Sequence, residues 1–221
     1  MAPLVIADPS LVVLVGAPGS GKSTLAARLF APDWIVSSDA LRAVVAGNEA
    51  DQHASAVAFR ILHRTVERRL ADGRLTVVDA TNTGVAARRP LIQRARAAGM
   101  PVAAIVLDLA PDVIHAQNAR RRRVVDRDVV DRQIASLRRT LDRDRLVAEG
   151  FAPVIVLSTP AEVATLALER RRAGRSGPEG PDQRDRNARQ DDADDVVAGH
   201  ALTEDGRRED DRGDRVHGRQ D

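Results

Sequence analysis

Five short apolar runs recur along the chain, at residues 11–15, 34–36, 75–78, 102–107 and 154–157. Each is continuous rather than alternating and is bounded by polar or turn-forming residues, which is how a strand buried on both faces reads. Most segments between them suit helices. Ala54, Val57, Ala58, Ile61, Leu62, Val66 and Leu70 predict a helix over 52–71, closed by Asp72-Gly73. Val130, Ile134, Leu137 and Leu141 form one stripe and predict a helix over 128–147, ended by Gly150. Shorter helices are expected at 22–30, at 39–45 with Gly47 and Asn48 as its stop, and at 85–98 before Gly99 and Pro101. Two more should run from Pro111 to about Arg122 and from Pro160 to about Arg171. Leu4-Val5-Ile6 is an apolar lead-in that suits an edge strand. Strands alternating with helices predict an α/β fold, a five-stranded parallel sheet covered on both faces. In such sheets ligands sit outside the carboxyl ends of the strands.

The pattern stops at Ala173. Residues 173–221 are dominated by Gly, Pro, Asp, Arg, Gln and Asn, with Val196-Val197 and Ala201-Leu202 as apolar exceptions. Such a stretch cannot bury enough surface to offset chain entropy, so a domain over 1–172 and a disordered tail over 173–221 are expected. The tail holds nine Arg against fourteen Asp and Glu, a net −5, which leaves +7 on residues 1–172 within an overall +2. A basic body suits an anionic substrate larger than ATP. Arg usage driven by base composition would look the same. Aromatic content of 2% leaves Val, Leu, Ile and Ala to build the core. The absence of cysteine excludes disulfides, zinc–thiolate sites and thiol nucleophiles, and the five His residues show no ligand spacing. Residues 1–10 have no basic region and no signal-length apolar run, and no stretch approaches the roughly 18 apolar residues of a membrane span. A cytoplasmic protein without a membrane partner is expected.

The residues Gly16-Ala17-Pro18-Gly19-Ser20-Gly21-Lys22-Ser23-Thr24 spell G-x-x-x-x-G-K-S between the first buried strand and a helix. That strand–loop–helix context is what a phosphate-cradling P-loop requires, and it makes the fold a nucleotide-kinase-like P-loop NTPase sandwich. Lys22 should reach the β- and γ-phosphates of ATP, and the Ser23 hydroxyl should hold Mg²⁺. Every other basic residue is Arg, so Lys22 is the one lysine of the chain. Asp39 ends the second strand. As Ser38-Asp39 before a helix it reads equally as an N-cap. Arg42, one helical turn on, favours a site in which a carboxylate accepts a hydroxyl proton and an Arg grips the neighbouring anion. Asp79 closes Val77-Val78-Asp79, an apolar strand ending in a carboxylate that can support Mg²⁺ or simply begin a turn. Thr81 and Asn82 either contact substrate or shape that turn. The run Arg120-Arg121-Arg122-Arg123 is a solvated face or a lid over the phosphates.

With these residues in place, the chain resembles the polynucleotide 5′-hydroxyl kinase family over about 4–171, in its bacterial RNA-repair form and more distantly its phage form. The resemblance rests on residues 16–24, on Ser37-Ser38-Asp39-x-x-Arg42, on Asp51-Gln52, and on Arg74 through Asp79-Ala80-Thr81-Asn82. Asn118-x-x-Arg121 and Val130-Asp131-Arg132-Gln133 complete it. It implies ATP- and Mg²⁺-dependent phosphorylation of nucleic-acid 5′ ends, RNA more than DNA, as part of RNA repair. By matching positions Lys22 and Ser23 serve nucleotide and metal, Asp39 is the general base, Arg42 grips the acceptor and Arg121 is the lid arginine. The family often carries Pro near Val125, which this chain lacks, so Arg123 is a second lid candidate. Gly213-Asp214-Arg215-Val216-His217-Gly218 is one residue too long for the phosphatase opening of the repair form, and no phosphatase activity is expected. A homodimer is the one protein partner entertained. A small-alcohol kinase, and a nucleotide-binding module without turnover, are the alternative functions.

Overall fold

The computed structural model describes residues 2–46, 52–121 and 123–172. Gly47, Asn48, Asp51, Arg122, the tail over 173–221 and the element at 213–218 lie outside the described residues.

The P-loop strand is the centre of the molecule. Strands β1 (Leu4–Asp8) and β2 (Leu11–Gly16) lead into α1 (Lys22–Leu29). Then come β3 (Ile35–Ser37), α2 (Ser38–Ala46), α3 (Gln52–Ala71), β4 (Thr76–Asp79), α4 (Val85–Ala97) and β5 (Val102–Leu107). The chain continues through α5 (Pro111–Ala119), α6 (Arg127–Thr140), α7 (Arg143–Glu149), β6 (Val154–Leu157), α8 (Pro160–Thr165) and β7 (Leu168–Arg172). Among the described residues the main sheet has five strands, all parallel, in the order β3-β4-β2-β5-β6. The expected P-loop kinase architecture is therefore present.

Side-chain alternation divides the core at β2. Leu11, Val13 and Val15 pack with Leu62, Val66, Leu91, Leu137 and Phe151 on one face. Val12 and Leu14 pack with Leu25, Ala26, Phe30 and Leu166 on the other. Period-two geometry sends successive residues to opposite faces, so a strand covered on both sides reads as a near-continuous apolar run. Every residue of β2, β4 and β5 is buried. Each fully buried Val or Leu contributes roughly 1.5–3 kcal/mol, which is why these strands leave no place for polar alternation.

Four expectations are corrected. The helix expected over 128–147 is two helices, because Asp142 caps the second: its carboxylate accepts from the Asp144 N–H at 2.9 Å. An Asp able to take an orphan donor starts a helix better than it continues one. The last helix stops at Thr165 rather than near Arg171, and residues 168–172 form β7, paired in parallel with β1 from Leu4↔Leu168 to Asp8↔Arg172. The Arg170 guanidinium donates to Asp8 Oδ2 at 3.0 Å and lies 4.7 Å from the Trp34 ring centroid. These contacts hold in strand form a segment whose polar sequence gives no strand signal. The lead-in thus belongs to a two-stranded sheet of its own, not to an edge of the main one. The helix from Pro111 ends at Ala119, three residues early. Among the described residues no helix is long and apolar enough to cross a membrane.

Candidate active site

The carboxyl end of β2 turns into a loop that only glycine can complete. Gly19 and Gly21 adopt φ of +88° and +92°. A Cβ at Gly19 would also lie 2.6 Å from the Ile114 carbonyl oxygen, so the loop is pressed against α5. Gly21 then starts α1, whose N-terminal N–H groups face the same space. Gly16 and Ala17 lie beneath. Their carbonyls each accept from Lys22 Nζ at 2.9 Å, and Ser20 Oγ lies 3.4 Å from the same nitrogen. Lys22 is only 8% exposed. Burial lowers its pKa from 10.5 to about 8, with Asp79 and Asp39 opposing that shift and Arg121 adding to it.

The loop faces a cavity of about 980 Å³. Pro18, Gly19, Ser20, Gly21, Lys22, Ser23 and Thr24 line it from below. Asp39 and Arg42 enter from α2, Asp79 from the end of β4, and Arg120, Arg121 and Arg123 from the segment after α5. The residues singled out from sequence are therefore together. Ser23 Oγ donates to Asp79 Oδ2 at 2.7 Å. The hydroxyl and the carboxylate are hard oxygen donors side by side under the phosphate loop, a set that fits Mg²⁺, which takes few protein ligands. Among the described residues no cluster of three or more His, Cys, Asp or Glu offers another metal site.

Asp39 is not the helix cap that its position allowed. The Ser37 hydroxyl takes the capping bond, from the Ala40 N–H at 3.4 Å, and Asp39 sits in the first turn of α2. Arg42 Nη2 donates to Asp39 Oδ1, and Arg121 Nη2 donates to Asp39 Oδ2 at 3.4 Å. The carboxylate, about half exposed, is thus held between an Arg of its own helix and one from across the cavity.

The two residues after Asp79 and Ala80 separate in role. Thr81 lines the cavity, and its carbonyl accepts from Gly16 N–H at 3.0 Å. Asn82 is buried at φ +49° and donates its amide to Leu14 O at 2.9 Å, so it shapes the turn and ties β4 to β2. Asn118 does comparable work for the arginine segment. Its amide donates to Val125 O at 2.7 Å and accepts from Val125 N–H at 3.2 Å, tying the end of α5 to the stretch before α6.

Sequence reasoning missed Arg88. This side chain is fully buried, donates Nε and Nη2 to Glu149 at 2.8 and 2.7 Å, and donates Nη1 to the carbonyls of Asn82 and Thr83 at 3.1 and 2.9 Å. A signal was present: Arg88 shares the inward stripe of its helix with Leu91, Ile92 and Ala95.

A family profile described as an AAA domain (AAA_33) matches residues 11–143. A search of the curated proteins finds no match. A chain of the Pnkp1/Rnl/Hen1 RNA repair complex is similar at 20% identity and a TM-score of 0.54, over 61% of this chain and 46% of that one. This chain thus spans less than half of that relative. Kti12 of Chaetomium thermophilum in complex with ADP-AlF3 is similar at 20% identity and a TM-score of 0.53, over 71% of this chain and 94% of that one. A sugar kinase from Janibacter sp. HTCC2649 aligns at 22% identity and a TM-score of 0.48, over 70% and 90%. At such identities the first two likenesses show the shared fold alone.

Proposed function

The chain belongs to the AAA-domain family matched over residues 11–143, and we propose that within it this P-loop kinase-like protein transfers the γ-phosphoryl group of ATP to the 5′-hydroxyl end of a polynucleotide, RNA rather than DNA. The observation that carries the reading is the convergence of Asp39, Arg42 and Arg121 with Lys22, Ser23 and Asp79 on one cavity. A nucleotide-binding module without turnover needs the second group but not the first.

Each side chain then has a task. The amides of residues 18–24 and the α1 N-terminus cradle the β- and γ-phosphates, and Lys22 neutralises them. Asp39 takes the proton of the attacking hydroxyl as the new O–P bond forms and the bond from the γ-phosphorus to the bridging oxygen breaks, leaving ADP. Arg42 grips the phosphate beside that hydroxyl, and Arg121 (with Arg123 as the second candidate) neutralises charge on the group in flight. Ser23 and Asp79 would hold Mg²⁺, which supplies charge neutralisation at the phosphate oxygens when bound. The cationic lining and the net +7 of residues 1–172 favour a polyanionic acceptor over a neutral alcohol.

The test is transfer from labelled ATP to a 5′-hydroxyl oligoribonucleotide, the matching DNA and a panel of small alcohols, with wild type, Lys22→Ala and Asp39→Ala. Wild type should label the RNA best. Lys22→Ala should lose ATP binding, whereas Asp39→Ala should keep it and lose transfer by about 10²-fold or more. Efficient labelling of a small alcohol with no labelling of RNA would replace this reading with a metabolite kinase.

A further inference from the structure

The sheet order divides the cavity into two halves. β2 carries the P-loop at the middle; Asp39, Arg42, Asp79 and Thr81 follow β3 and β4 on one side, and Leu109, Pro160 and Val163 follow β5 and β6 on the other. With Asp39 as base, the β3–β4 half receives the acceptor. Gln133 belongs to that half although its helix lies far along the chain. It lines the cavity with Val129 of the same helix and with Asp126, the N-cap of α6, while Val130, Ile134 and Leu137 turn into the core. It is fixed there by Thr83, in the loop after β4, whose hydroxyl donates to Gln133 Oε1.

Thr83 is itself immobilised from behind. Its carbonyl accepts from Arg88 Nη1 at 2.9 Å and from Thr140 Oγ1 at 3.1 Å. Arg88 is held by both carboxylate oxygens of Glu149 and also donates to the Asn82 carbonyl. A fully buried guanidinium with this set of bonds is expensive to place unless its fork geometry is used, and here it braces the loop that runs from Asp79, at the end of β4, to α4 and carries Thr83. With Oε1 engaged as acceptor, the remaining polar group of the Gln133 amide is its NH₂, a pure donor.

We propose that Gln133 is an acceptor-recognition residue: its amide NH₂ donates to an oxygen of the acceptor next to the attacking hydroxyl, and Thr83, braced by Arg88, is the positioning residue that aims it. This rests on the kinase reading above for Asp39 as the base, which puts the acceptor in the β3–β4 half, and for the identity of the acceptor.

The experiment measures KM for the acceptor and for ATP separately in full-length wild type, Gln133→Ala, Thr83→Val and Thr83→Ser, together with each variant's unfolding midpoint. Gln133→Ala should raise the acceptor KM about tenfold, with ATP KM and midpoint unchanged. Thr83→Val should move the acceptor KM in the same direction, and Thr83→Ser, which keeps the hydroxyl, should restore it. An acceptor KM within twofold of wild type in Gln133→Ala overturns the proposal, as does a parallel rise in ATP KM or a Thr83→Ser variant no better than Thr83→Val. If wild type labels a small alcohol and not an oligoribonucleotide, the polynucleotide reading falls and Gln133 is judged on the alcohol's KM by the same criteria. Transfer to neither acceptor overturns both.

Discussion

Lys22 shows how much one burial decides. Its pKa of about 8 lies below the ordinary 10.5 because the folded loop removes the ammonium from water. The unfolded chain therefore holds more protons between those two values, and stability rises with pH across about 8 to 10.5 as the cost of the buried charge is relieved. ATP works the other way, since its phosphates favour the ammonium. Its affinity should fall as pH climbs through about 8, with a proton taken up on binding. Calorimetric titration of wild type with ATP near pH 8 in buffers of different ionisation enthalpy reads that proton directly, and heats that do not depend on the buffer would overturn the prediction. Gly19 is decided by space as well as by φ. Gly19→Ala combines a left-handed conformation, costing about 1–3 kcal/mol, with a Cβ placed 2.6 Å from the Ile114 carbonyl. A lowered denaturant midpoint together with weakened ATP binding is expected. Both residues were legible in the sequence because a P-loop is a local signature. For Arg88 the sequence shows only a charge on an inward helix stripe; its role was not legible, because that charge is answered by Glu149, a residue 61 positions away.

At the scale of elements, the strands buried on both faces were legible because their interiors are continuous apolar sequence, with polar residues only at the ends of β4, Thr76 and Asp79. The α6–α7 break and β7 were not read. The first is set by one carboxylate at Asp142 competing with a hydrophobic stripe that runs past it. The second depends on β1, whose partner register no local pattern encodes. The arginine segment between α5 and α6 shows the same dependence on a distant tie. Asn118 makes two hydrogen bonds to Val125, each worth about 1 kcal/mol, and together they set the opening equilibrium of the loop. Asn118→Ala should accelerate tryptic cleavage within 120–123 by about tenfold or more, with a much smaller change in the global unfolding midpoint. Equal changes in both would mean that the segment opens only when the whole domain does.

For the molecule as a whole, the P-loop kinase fold was legible from the alternation of strands and helices, whereas the acceptor was not, since fold does not fix substrate. Electrostatics supplies the discriminating measurement. A polynucleotide held by several arginines releases counterions on binding, so the logarithm of its affinity should fall with that of salt at about −0.7 per neutralised phosphate for single strands. A neutral alcohol should give a flat line. Arg42→Ala should remove about one phosphate's worth of slope, read by titrating a 5′-hydroxyl oligoribonucleotide between low and moderate salt, with ATP as the control.

The pairing of β1 with β7 also has a mechanical meaning. The two strands run in the same direction, so the chain enters the ladder at Leu4 and leaves it at the opposite end, at Arg172. Force applied between those two points acts along the strands and loads the rungs of the ladder together. Force applied between Asp8 and Arg172, which are register partners at one end, would open the rungs one after another. Pulling single molecules through handles at residues 4 and 172 should therefore give a higher rupture force than pulling at 8 and 172. Weakening β7 with Leu168→Pro should narrow the difference, because proline removes a backbone N–H from β7 and disturbs one end of a ladder whose rungs share the load.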